Sequence, residues 1–156
     1  MRPVFAALAV LALAACSPAD EPASPPPAPE PAPVLAGVDL ARPVRALGTE
    51  PFWGVELTGT EMVYTTPESP ELRAPQPGPL VQGTTATWEA ETADGTALRV
   101  TLVATECSDG MSDRTYPLTA MVKVGERELT GCAASSAAIM STGESGPVVE
   151  TAQPAA

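Results

Sequence analysis

The chain has 156 residues, 19 of them proline, with 4% aromatic residues and no histidine. Its 19 acidic and 8 basic residues give a formal net charge of −11, which repels nucleic acid and anionic lipid surfaces. Without histidine, a Cys/His metal site lacks half its usual ligands, and a serine has no imidazole to activate it.

The chain opens with Arg2, followed from Val4 to Ala15 by a short run that is almost entirely Ala, Leu and Val. A membrane-spanning helix needs about 20 apolar residues, so this run suits the apolar part of a signal peptide, residues 1–15. It closes on Leu13-Ala14-Ala15-Cys16, which resembles a bacterial lipoprotein processing site. The resemblance implies cleavage before Cys16, whose sulfur and new amino group then carry lipid. An ordinary secretory signal is the alternative. Anchoring to the bilayer through acylated Cys16 would be stable, because several acyl chains hold where one is marginal. Ser17 follows the cysteine in place of an inner-membrane retention aspartate, which points to the outer membrane, inner leaflet, facing the periplasm.

From Ser17 to about Ala36 the composition turns to Pro, Ala and Glu, including Pro25-Pro26-Pro27. Such a tract favours extended polyproline II and reaches up to roughly 60 Å over its length. We assign residues 16–43 to the lipidated cysteine and this linker. Residues 135–156 are mostly small and polar, and are predicted to form a disordered tail.

The interval 44–134 is predicted to be one all-β domain. Its apolar residues alternate: Trp53, Val55 and Leu57; Ala86, Trp88 and Ala90; Leu98, Val100, Leu102 and Ala104; Leu118, Ala120, Val122 and Val124. Thr58-Gly59-Thr60, Asp94-Gly95 and Gly125-Glu126 mark hairpins. The proline-rich stretch 67–79 reads as a long loop, and no window reads as a helix. The expected architecture is a small antiparallel meander barrel of six to eight strands, closed or nearly closed, with one disulfide.

There are three cysteines. If lipid takes Cys16, Cys107 and Cys132 remain in a compartment that permits disulfides. Bridging them would contribute about 3.5 kcal/mol by the loop-length relation. Two separate buried thiols are the alternative.

Two segments stand apart from the strand pattern: Gly48-Thr49-Glu50-Pro51-Phe52-Trp53, and Cys107 to Pro117 with its Asp109-Gly110-Met111-Ser112-Asp113-Arg114 core. With Gly131-Cys132-Ala133 they resemble a family of small bacterial envelope lipoproteins that share G-x-E-P-F-W, C-x-D-G-M-S-D-R-x-Y-P and G-C-A motifs. More loosely, the chain is similar to META-type domains of heat-shock-inducible lipoproteins. The resemblance implies a secreted β-domain, often lipid-anchored, with no established activity.

Within these segments Asp109 and Ser112-Asp113 suit tight turns closed by their own side chains. The competing reading makes Glu106, Asp109 and Asp113 oxygen ligands for a hard cation, but the spacing lacks that of a known calcium loop. Arg114 is expected to stack on Trp53 and plug one barrel end; the same pair, with Tyr116, would otherwise line a ligand mouth. Glu50 is expected to pair with Arg114 or Arg45. No catalytic group, cofactor or metal ligand set is expected. The function expected from the sequence is a non-enzymatic, monomeric, lipid-anchored binding or envelope-integrity module, with a periplasmic protein or small ligand as partner. The alternatives are an inhibitor of a lysozyme-like enzyme, which an acidic surface would suit, and, with less support, a hydrolase.

Overall fold

Alternation along the strands dictates the architecture, because side chains two apart share one face of a sheet. The computed structural model describes residues 32–150; the signal segment, Cys16 and most of the proline-rich tract lie outside the described residues. A short ribbon of β1 (Val34–Leu35) and β2 (Val38–Asp39) comes first. Next come β3 (Val44–Thr49), β4 (Phe52–Leu57), β5 (Glu61–Thr66), β6 (Ser69–Pro75), β7 (Leu80–Gln82), β8 (Thr85–Glu91) and β9 (Ala97–Val103). Then follow β10 (Asp113–Thr115), β11 (Leu118–Val124), β12 (Arg127–Ser135), α1 (Ser136–Ser141) and β13 (Ser145–Pro147).

Nine of the strands form one curled antiparallel sheet in the order β6-β5-β4-β3-β12-β11-β9-β8-β7. It consists of two meanders, β3 to β6 and β7 to β12, joined by the pairing of β3 with β12. The all-β, antiparallel, single-disulfide architecture is therefore as expected. The sheet has one strand more than the upper expectation and curls into an open half-barrel.

Three segments differ from the sequence reading. Residues 69–75, expected in a loop, form β6, which pairs with β5 at the rim of the sheet. Pro70 and Pro75 are tolerated there because an edge strand leaves one row of amides unpaired. The linker, expected to run to residue 43, already contributes Leu35, Val38 and Leu40 to the core. The tail, expected to be disordered from residue 135, carries α1 and β13 and buries Ala138 and Val148. Small apolar residues suffice there because the surface they cover is itself shallow.

The concave side of the sheet is filled. Trp53, Val55 and Leu57 meet Met62 and Tyr64, the row Leu98, Val100 and Leu102, and the row Leu118, Ala120 and Val122. Trp88 lies among them, 1% exposed. A water-sized void would expose the side chains that line it, and these are almost wholly covered. Each such side chain contributes about 1.5–3 kcal/mol on burial. The ring nitrogen of Trp88 finds no acceptor among the described residues.

Trp53 has a seat made of glycine. It lies directly across from Gly48 in the β3–β4 register. A Cβ placed on Gly48 would come within 2.1 Å of the indole nitrogen, and one on Gly131 would sit 2.0 Å from the Leu47 carbonyl oxygen and 2.8 Å from the indole Cζ2. The ring thus lies across β3 and β12, where two strands carry no side chain. Replacing Gly131 by Ala should therefore lower unfolding free energy by about 2 kcal/mol or more through overpacking. Gly78→Ala, where a Cβ meets nothing within 4 Å, should change it by less than about 0.5 kcal/mol. Equilibrium denaturation of the two variants tests the difference.

Candidate functional site

On the convex side of the sheet a second, smaller core forms around Tyr116, Cys132, Ala134, Ala138 and Val148. It exists because the end of β12 is buried on both faces: Cys132 and Ala134 face outward and still need cover. The segment between β9 and β11 supplies part of that cover. Cys107 is bonded to Cys132 with their Cα atoms 5.4 Å apart. Cys107 and Tyr116 also exchange both backbone hydrogen bonds, at 2.9 and 2.8 Å. The disulfide expected from the sequence is present, and it ties the base of the 107–117 loop to the sheet.

Asp109 organises the loop. Its Oδ1 accepts from the Met111 and Ser112 amides at 2.9 and 2.8 Å. Its Oδ2 accepts from Ser112 Oγ at 2.7 Å and from the Tyr116 hydroxyl at 3.1 Å. Partial burial alone would raise the carboxyl pKa; the four donors outweigh it and hold the group at about 2. Burial pushes the Tyr116 hydroxyl up, Arg114 beside it pulls it down, and Asp109 pushes it up again. The Asp109 carbonyl oxygen, in turn, accepts from Thr49 Oγ1 at 3.0 Å. That bond joins the two motif segments, which lie 60 residues apart in the chain.

The remaining predicted residues fall as follows. Arg114 is 19% exposed at its side chain and spends its donors on the end of α1: Nε donates to the Gly143 carbonyl at 2.6 Å and Nη2 to the Thr142 carbonyl at 2.9 Å. Thr142 caps the C-terminus of α1 and Gly143 follows it, so the guanidinium binds the chain just as it leaves the helix. Arg114 and Trp53 line the same cleft, and the hydrogen bonds of the guanidinium tie it to the C-terminal segment. Asp113 begins β10, which pairs in parallel with β13. Glu50 is exposed in the turn between β3 and β4, before the cis peptide bond to Pro51. It forms no ion pair with Arg45 or Arg114: it borders a neighbouring hollow, while both arginines border the cleft. Among the described residues no group of three Cys, Asp or Glu is placed to hold a metal ion. The lone pairs of Asp109 are already directed at fixed donors.

The cleft occupies about 540 Å³ on the outside of the sheet, bordered by Arg45, Phe52, Trp53, Met111, Arg114 and Tyr116. Phe52 and Met111 are 56% and 67% exposed. A second hollow of about 400 Å³ shares Leu47, Gly48, Thr49, Asp109 and Met111 with it, and so borders the same Thr49–Asp109 bond. Sequence reasoning missed Phe52, Met111 and Arg45 as site residues. The available signal was phase: Phe52 falls on the opposite face from the core residue Trp53. No helix among the described residues is long and apolar enough to cross a membrane. Comparison with protein families, characterised proteins and solved structures returned no match.

The depressed pKa of Asp109 sets a pH dependence. The folded value lies below the ordinary 3.8, so the bonds of the carboxylate stabilise fully above about pH 4 and are lost as pH falls through about 2. Asp109→Asn should cost about 1–2 kcal/mol at neutral pH, the scale of lost hydrogen bonds to a charged group that is partly solvated. Denaturation curves at pH 7, 4 and 2 should show the gap between variant and wild type narrowing only across the acid end.

Proposed function

We propose that this chain is a non-enzymatic, lipid-anchored envelope protein that binds its periplasmic partner or small ligand through the cleft between residues 48–53 and 107–117. The observation that carries the reading is the convergence of the two motif segments. The Thr49–Asp109 bond holds them together, and they leave Phe52 and Met111 exposed beside two arginines. Exposed apolar side chains that meet at one cleft with polar groups around them form the pattern of an interaction site. The filled concave interior favours this outer cleft over a ligand held inside the sheet.

A binding role is favoured over catalysis by the chemistry of the site. Its most perturbed carboxylate, Asp109, is held ionised by four donors, which makes it a weak base with no free lone pair aimed at the cleft. The chain has no histidine to take its place. On this reading acylated Cys16 fixes the protein at the outer membrane facing the periplasm, and the proline-rich tract sets the cleft away from the lipid headgroups.

Complementation of a deletion strain under envelope stress tests the reading. The double variant Phe52→Ser/Met111→Ser alters only exposed side chains, so it should fold and reach the membrane as wild type does. It should nevertheless leave the strain at the deletion level. Full rescue by that variant would remove the cleft from the protein's role. Cys16→Ser should also fail to rescue and should release the protein from the membrane fraction. Stoichiometric block of a C-type lysozyme by wild type would replace this reading with the inhibitor alternative.

A further inference from the structure

The cleft brings together two of the chain's eight basic residues, Arg45 and Arg114, with Asp109 and Glu144. Arg45 lies on the outward face of β3, opposite Glu56 of β4. A cross-strand pair of opposite charge normally closes on itself. Here the Glu56 carboxylate is instead bonded to the Ser136 hydroxyl at the start of α1. Among the described residues Arg45 has no carboxylate within ion-pair distance and no hydrogen-bond acceptor for its guanidinium. Gly54 gives it room: Arg45 Nη2 is 3.8 Å from where a Cβ on Gly54 would sit. The guanidinium therefore lies against the sheet in the same cleft as Phe52.

Across the cleft Arg114 donates from Nε and Nη2 to two carbonyl oxygens, which do not cancel its charge. The nearest carboxylate, Glu144, is 3.9 Å away and 98% exposed, where solvent screens the pair. The other acidic residue of the cleft, Asp109, is fully engaged within its loop. A guanidinium presents a flat fork of donors that fits a carboxylate with two parallel bonds. The apolar rim, from Phe52 to Met111, suits a ligand with an aromatic or aliphatic body. The volume lies within the range of small-molecule sites.

We infer that the cleft takes a small carboxylate with an apolar body, the carboxylate on Arg45 and the body between Phe52 and Met111. This deepens the proposed binding role and rests on it. A monoanion is specified rather than a phosphate dianion, because the cleft's two arginines share it with two acidic residues. With a net charge of −11, the chain as a whole offers an anion no general attraction. Binding must come from the local fork.

The test is a titration of the full mature chain, 15N-labelled in mild detergent, with hippurate, its uncharged amide, and phenyl phosphate. Hippurate should move the Trp53 indole, Thr49 and Met111 signals saturably, and the amide should bind about tenfold more weakly, the loss expected for a charged hydrogen-bonded pair. Arg45→Gln should reduce hippurate to the level of the amide while leaving the melting temperature unchanged. Equal binding of acid and amide, indifference to Arg45→Gln, tighter binding of phenyl phosphate, or no saturable shift would each overturn the inference. If hippurate fails while the Phe52/Met111 variant still loses complementation, the ligand class is wrong and the cleft reading stands. If hippurate binds and that variant rescues fully, the ligand assignment stands and the proposed role falls.

Discussion

From Cys132 to Ser135 the backbone is covered on both faces of the sheet, and the rest of the molecule is arranged around that demand. An antiparallel strand usually keeps one face in water and reads as strict alternation. Here Ala133 points into the concave core, while Cys132 and Ala134 point outward under the C-terminal segment. The strand is also central, since its pairing with β3 alone joins the two meanders. Gly131 before it carries no side chain, because the Leu47 backbone and the Trp53 ring already occupy the space. A side chain at Gly131 would have to displace backbone as well as the Trp53 ring.

The outer cover is assembled from polar parts fixed by covalent and hydrogen bonds. The disulfide sets the base of the 107–117 loop, Asp109 closes its turn, and Arg114 ties it to the end of α1. The helix is short, and its start is capped by Ser135, whose Oγ accepts from the Ala138 amide at 3.1 Å. Such a helix is marginal by itself and persists because Ala138 and Ile139 pack on the shallow outer face. The same cover positions the cleft, so the features that hold the loop and those that shape the cleft are one set.

Much of the concave half was legible in the sequence for a simple reason. Leu98, Val100 and Leu102, or Leu118, Ala120 and Val122, repeat every second residue, and that period has one structural meaning. The loop chemistry of Asp109 was equally readable, since an aspartate before glycine closes its own turn. The pairing of β3 with β12 was not, because no local pattern records which distant strand lies alongside. Residues 136–148 were misread because composition was weighed by the size of apolar side chains. Over a surface of Cys132, Ala134 and Leu47, small residues pack better than large ones. The proline-rich stretch 69–75 was misread because proline excludes a central strand and is compatible with a rim.

A filled interior also changes where binding can occur in a sheet of this kind. When a curled sheet leaves its concave side open, a ligand can replace core side chains and specificity follows interior shape. Here Trp53 and Trp88 already occupy that volume, which leaves the outer face of the sheet as the place for the proposed binding. A rim site has little depth, and shallow sites gain less from burial alone. Charge and a few exposed anchors then matter more, and they must be held rigidly if ordering is not to consume the gain. The Thr49–Asp109 bond, the disulfide and the glycine seat of Trp53 supply that rigidity from three directions, while Arg45 and Phe52 sit on the regular strands β3 and β4. In the proposed binding role, a loop fixed before any ligand arrives offsets the shallowness of the cleft.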